Sequence, residues 1–283
     1  AYYCAGGFQR LADAVAAGLV EHGGELVLGR RVSEIRVDRN RAVGVVTDEG
    51  EPIRAKCVVA TVDARSTFGT LISPAARPRR TARRVRRDPT SMSALALYVG
   101  TDIDVASLGV AQETIVSRSW DHEANYDAAL AGAATVVTVT VPTLADASLA
   151  PPGRHLVGIA GPAPRAGSQN ARAVIAAEFV ALAGRVIPGL GDRIEFALGS
   201  DAPVGESPEL TLHEHGPIYG WATTPALSGP FRLPQWTPIE GLYLAGHWSQ
   251  PGHGIWTVML SGLRAARLVL GRETSRGVSS PLL

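Results

Sequence analysis

Residues 241–269 read Gly241-Leu242-Tyr243-Leu244-Ala245-Gly246-His247-Trp248-Ser249-Gln250-Pro251-Gly252-His253-Gly254-Ile255, then Trp256-Thr257-Val258-Met259-Leu260-Ser261-Gly262-Leu263-Arg264-Ala265-Ala266-Arg267-Leu268-Val269. A short apolar strand over 242–245 ends in glycine and a Gly/Pro turn follows. An apolar stripe of Ile255, Val258, Met259 and Leu263 then recurs at helical spacing. Strand, glycine turn and helix in that order predict an α/β unit. Gly246, Gly252 and Gly254 clear side chains from the turn, and the first N–H groups of a helix have no intrahelical partner. Such a turn accepts a bulky planar or anionic group against bare backbone, although a purely structural turn has the same form.

Further upstream lies His213-Glu214-His215-Gly216-Pro217-Ile218-Tyr219-Gly220-Trp221. On a strand His213 and His215 would share a face, but no third ligand follows at motif spacing, so no metal site is predicted. His247 and His253 flank the glycine turn and are candidates for proton exchange near neutral pH, with hydrogen bonding or packing as the plainer role. Gly-x-Ser-x-Gly spacing is absent, and Ser261-Gly262 falls inside the helical pattern.

At the other end, Phe8 to His22 places Leu11, Ala12, Val15 and Leu19 on one helical stripe, closed by Gly23-Gly24. Strands are expected at 25–28, 31–38 and 42–46, with a turn at 48–51 and a buried strand over 55–60. Arg79, Arg80, Arg83, Arg84, Arg86 and Arg87 then crowd one short helix after the break at Ser73 to Pro78. A solvated surface and a seat for phosphates or anionic lipid head groups both fit that run. Residues 90–200 hold strands near 93–99, 113–116, 135–141, 155–160 and 193–198. A helix over 170–187 carries Val174, Ala177, Phe179, Leu182 and Val186 as its apolar positions.

The chain's 283 residues, 46% hydrophobic, suffice for two packed domains. A formal net charge of +1 offers no global case for nucleic acid, and the arginine run has no aromatic interleaving. Cys4 and Cys57 form neither a CxxC pair nor a disulfide framework. With no apolar run of membrane-spanning length and no signal segment, a cytoplasmic protein is expected, with peripheral membrane contact at one surface left open.

The turn at 246–255, with the Gly-x-x-Tyr-Gly-Trp pattern at 216–221, Gly229-Pro230, Arg232-Leu233-Pro234 and Thr237-Pro238-Ile239, resembles the C-terminal segment of the phytoene desaturase and carotenoid isomerase-like oxidoreductases. These are a branch of the class that includes amine oxidases. Gly6-Gly7, Gly23-Gly24 and the strand at Val32 match the family's earlier part. The resemblance implies an α/β fold in which an incomplete, Rossmann-like FAD-binding domain (1–62 and 206–270) is interrupted by an α+β substrate-binding domain (63–205), with a flexible tail at 271–283. It implies FAD as cofactor, contacted by Gly6, Gly7, the main chain of Val32, Gly246, Gly252, Gly254 and Ile255. Tyr219 and Trp221 become candidate walls near flavin or substrate, with core packing equally open.

Members of the family open with a G-x-G-x-x-G unit that grips the pyrophosphate, and no such fingerprint occurs here. The resemblance therefore implies a piece of a longer polypeptide that needs its N-terminal half, or a complementary chain, to complete the FAD site. The implied activity is desaturation or isomerisation of an apolar polyene or isoprenoid, whose binding the apolar sheet face of the middle block would serve. An amine oxidase-like flavoenzyme, and a non-catalytic domain that binds an apolar ligand, a partner or a second copy of itself, are the alternatives.

Overall fold

A computed structural model describes residues 3–164, 169–199 and 216–271. The histidine pair His213 and His215 and the tail beyond Gly271 lie outside them. The chain divides into two compact units, one of residues 1–27 and 92–218 and the other of residues 28–91 and 219–283.

The first unit opens with helix α1, Gln9–Glu21, none of whose residues is buried. Its predicted stripe is present, but Val15 and Leu19 stand open to solvent. The unit's core belongs to a five-stranded antiparallel sheet of β5 (Ser93–Thr101), β6 (Glu113–Ser117), β7 (Val136–Thr140), β8 (His155–Ala163) and β9 (Ile194–Leu198), in the order β6-β7-β8-β5-β9. Alternation decides which side is covered: Leu95, Leu97, Val99, Val137, Val139, Val157 and Ile159 are buried in one cluster. Helix α4, Gln169–Ala183, meets that cluster through Ile175, Phe179 and Leu182, spaced i, i+4, i+7. Val174, expected on the inner stripe, is 60% exposed. The helix is apolar nearly all round, so its periodicity alone does not identify the buried side. Helix α3, His122–Leu130, was not anticipated, and its low apolar content explains why. Its start is set by Asp121, whose side chain accepts from Ala124 N–H.

The second unit holds the meander β1 (Val32–Asp38), β2 (Arg41–Thr47) and β3 (Pro52–Arg54), antiparallel throughout. Separately, β4 (Val58–Ala60) runs parallel to β10 (Leu242–Leu244). Two expectations need correcting. Residues 25–28 form no strand, and the strand expected over 55–60 is three residues long with only Ala60 buried. Helix α2, Arg79–Arg87, sends Val85 into the core, and helix α5, Ile255–Val269, follows β10. The core gathers Phe68, Ile72, Val85, Trp221, Leu233, Ile239, Leu242, Leu244 and Trp248.

Candidate flavin-facing site

The carboxyl ends of the parallel pair set the site. Ala245 N–H donates to Ala60 O at 3.0 Å, which brings the loop after β10 beside Thr61. In α/β sheets this end of parallel strands is where loops open to ligands. The loop is then pinned from behind, because Gly246 N–H donates to Ser261 Oγ at 2.7 Å and Ser261 Oγ–H donates to Val258 O at 2.8 Å. Ser261, Ala265 and Leu268 are the buried residues of α5, while Ile255, Met259 and Leu263 of the predicted stripe are each about half exposed. A polar bond at Ser261 outranks the apolar pattern in deciding which side of this helix faces in.

A second segment lies against the loop. Gly220, at φ +71°, passes so close that a Cβ there would come within 2.7 Å of His247 Cδ2, so the chain crosses only as glycine. Beside it Trp221 is buried at 2% exposure, donates its indole N–H to Trp248 O at 3.0 Å and packs edge-on to Trp248 with centroids 4.7 Å apart. That places Trp221 in the core. Tyr219, 43% exposed, instead lies over His253 with ring centroids 4.3 Å apart.

Arg232 ties the two segments together. It is 2% exposed and its guanidinium donates to the carbonyls of Trp221 (3.3 Å), Tyr219 (3.4 Å) and His247. Among the described residues no carboxylate pairs with it, and burial alone lowers its pKa. Fixed on backbone dipoles, its charge is felt by the ring nearby. Desolvation, and then repulsion from Arg232, push the His253 pKa below its ordinary value. His253 is therefore neutral near pH 7, with Nε2 3.4 Å from Thr223 Oγ1.

At the mouth of the loop, Gly252 has φ +140° and Gly254 has φ +102°. A Cβ on Gly252 would press on Arg232 Nε at 3.3 Å, whereas one on Gly254 would meet only Thr257 Oγ1 and otherwise fill open space. No side chain caps α5, and the first N–H to bond within the helix is that of Val258, to Gly254 O. The N–H groups of Ile255, Trp256 and Thr257 precede it and lie at the positive end of the helix dipole. Bare glycine backbone beside uncapped N–H groups fits the polar edge of a flavin, and the fit rests on these residues alone.

Of the residues singled out in the sequence, Gly246, Gly252, Gly254, Ile255, His247, His253, Tyr219 and Trp221 come together around this loop. Val32 stands elsewhere in the second unit, at the start of β1 and across from Thr47. Gly6 and Gly7 belong to the first unit, where Gly6 N–H donates to Asp146 Oδ2 at 2.7 Å. Arg232 and the Ser261 bond were not foreseen. In the sequence Arg232 stands out only as a member of the Arg232-Leu233-Pro234 pattern and as a charge between Phe231 and Leu233, neither of which signals burial on carbonyls.

The first unit has a feature of its own. The sheet side opposite α4 carries Ala94, Ala96, Tyr98 and Gly100 of β5, in register with Pro162, Ala160 and Gly158 of β8, and with Leu198 and Phe196 of β9. At one edge a cavity of about 800 Å³ is lined mainly by apolar and aromatic groups, among them Met92, Ile115, Trp120, Tyr126, Val136 and Pro162.

Comparison with known proteins places these features in context. A family model described as flavin containing amine oxidoreductase matches residues 1–270. The chain is 32% identical over 99% of its length to a phytoene dehydrogenase of Streptomyces griseus, covering 55% of that protein. It is 26% identical over 94% of its length to the chloroplastic prolycopene isomerase of Arabidopsis thaliana, covering 45% of it. It thus spans about half the length of the curated relatives it matches. Among solved structures, an oxidoreductase from Methanosarcina mazei superposes with a TM-score of 0.62 at 17% identity, over 95% of this chain and 55% of that one. A putrescine oxidase bound to putrescine superposes at 0.63 with 14% identity, over 95% and 54% of the two chains. These two likenesses show a shared fold.

Proposed function

The chain belongs to the flavin containing amine oxidoreductase family, within the FAD-dependent superfamily that includes the phytoene desaturases, and we propose that it forms the flavin-facing and substrate-binding portions of an oxidoreductase acting on an apolar polyene or isoprenoid. The observation that carries the reading is the Gly252–Ile255 turn, where bare glycine backbone meets an uncapped helix start. In this reading Gly246, Gly252, Gly254 and Ile255 hold the flavin edge, and Gly6, Gly7 and the main chain of Val32 take further contacts. Bound flavin supplies the two-electron acceptor that carbon–carbon desaturation requires.

The chain's own residues then bind, orient and exclude water. Open N–H groups at Ile255 to Thr257 favour negative charge developing beside them. Neutral His253 accepts a proton at Nε2, and Tyr219 stacked on it walls the approach. The first unit's cavity, with its apolar and aromatic lining, suits a hydrocarbon chain better than an amine. The amine-oxidase alternative calls for an aromatic pair perpendicular to the flavin and a polar amine entrance; of the two candidate walls, Trp221 is buried against Trp248, which leaves Tyr219 as the exposed ring. Exposed apolar residues of α5 and the short parallel pair β4–β10 support completion of the site by a further nucleotide-binding segment or chain.

The test is FAD titration into the purified chain, alone and with a family nucleotide-binding segment supplied, reading visible absorbance after free flavin is removed. Flavin retained in either sample supports the reading and directs assays to polyenes. Colourless protein in both, with each polypeptide folded by circular dichroism, overturns it.

A further inference from the structure

Helix α2 presents an asymmetry that the flavin reading does not use. At 100° per residue, Arg79, Arg80, Arg83, Arg84, Arg86 and Arg87 fall within one arc of about 160°, and Val85, fully buried, lies opposite. The arginines therefore share one side of the helix. The nearest carboxylate is drawn out of the way. Asp88 is 4% exposed, held by Arg84 Nε at 3.2 Å and Arg87 Nη2 at 3.0 Å. Arg65 donates to Val85 O and Asp88 O, satisfying the carbonyls at the helix end. Arg79, Arg80, Arg83 and Arg86 make no ion pair or hydrogen bond among the described residues, so their charge points outward undiminished. The whole chain carries only +1, so this is a local concentration of positive charge.

Beside this cationic face lies exposed aromatic surface. Arg84 Nη2 donates to Phe231 O, and Phe231 is 60% exposed. Arg80 and Arg84 rim a recess of about 260 Å³ floored by Phe68, Leu233, Pro234 and Trp236. A cationic rim over an apolar floor matches an amphiphile with an anionic head and a hydrocarbon tail. A nucleic acid duplex, whose bases are already stacked, would use the rim and leave the floor empty.

We infer that the arginine face of α2, with Phe231 and Trp236 beside it, docks the protein on an anionic lipid bilayer. The arginines take the head groups while the two aromatic side chains enter the interfacial layer. This inference is independent of the flavin site and stands or falls without it.

The test is co-sedimentation of the full chain with vesicles of phosphatidylcholine alone, and of phosphatidylcholine containing roughly a third phosphatidylglycerol. Binding only to the anionic vesicles is expected, weakened but not abolished as salt rises from roughly 0.1 to 0.5 M. Replacing Arg80, Arg83 and Arg86 together by Gln spares the pair around Asp88 and is expected to lower affinity on the order of 100-fold. The same loss of charge at Arg36, Arg39 and Arg54 is expected to change binding far less. Phe231→Ala with Trp236→Ala is expected to weaken what salt does not abolish. Equal binding to neutral vesicles, equal loss in both arginine triples, or binding to an RNA duplex with none to vesicles would each overturn the proposal.

Discussion

Arg232 shows how one buried charge organises a loop without an ionic partner. Its three carbonyl acceptors come from segments twenty-six residues apart, Tyr219–Trp221 and His247, so removing the guanidinium strands several buried acceptors at once. Arg232→Met is expected to cost about 2–4 kcal/mol in denaturant unfolding, an effect too large for ordinary surface loss; a cost near zero would show that the carbonyls find other donors. His253 reports on the same charge. Its folded pKa is depressed, so the unfolded chain binds more protons as pH falls. The stability this neutral ring contributes is complete above about 6.5 and is lost as pH falls through that value toward the lower folded pKa. An NMR titration should place His253 below the free-histidine value in the native protein and closer to it in Arg232→Met. No movement would assign the depression to burial alone. Gly254→Val tests the flavin mouth: the branched side chain enters open space at a φ that disfavours it, so a modest fall in Tm and a loss of flavin affinity of at least about tenfold are expected together. Unchanged flavin affinity in the completed enzyme would remove Gly254 from the site.

Helix α5 illustrates how an element's apolar pattern and its buried side separate. The side that packs is Ser261, Ala265 and Leu268, while Ile255, Met259 and Leu263 face out. Ser261 is the reason, since it bridges Gly246 N–H to Val258 O and so sets the distance from the end of β10 to the helix. Ser261→Ala is expected to destabilise by about 1–2 kcal/mol and to loosen the 246–254 loop, read as faster amide exchange at Gly246. Unaltered protection there would mean that helix packing alone holds the loop. In α4 the same separation arises from the opposite cause, because apolar residues surround the helix and only the sheet selects Ile175, Phe179 and Leu182.

Taken as a molecule, the chain leaves more apolar helix surface open than its cores require. Val15, Leu19 and Val20 on α1 and Ile255, Trp256, Met259 and Leu263 on α5 are all exposed. Surfaces of this kind mark sites of association. The isolated chain is expected to self-associate at micromolar concentration, and Met259→Glu with Leu263→Glu to return it to monomer in sedimentation velocity. A chain already monomeric at high concentration would argue that these residues need no cover. No helix among the described residues is long and apolar enough to cross a membrane.

Local patterns were enough for much of this. Alternation marked β5, β7 and β8, helical spacing marked α1, α4 and α5, and the density of glycine at 246–254 marked the turn, because each depends on neighbours in sequence. The family followed from the same turn and its flanking motifs. Packing decided the rest. Whether Trp221 lines a site or fills a core, which side of α5 turns inward, and that Arg232 is buried on three carbonyls all depend on segments remote in sequence. Burial and hydrogen bonding are settled by the neighbours that folding brings, so a residue's local pattern offers a role and its tertiary contacts assign it.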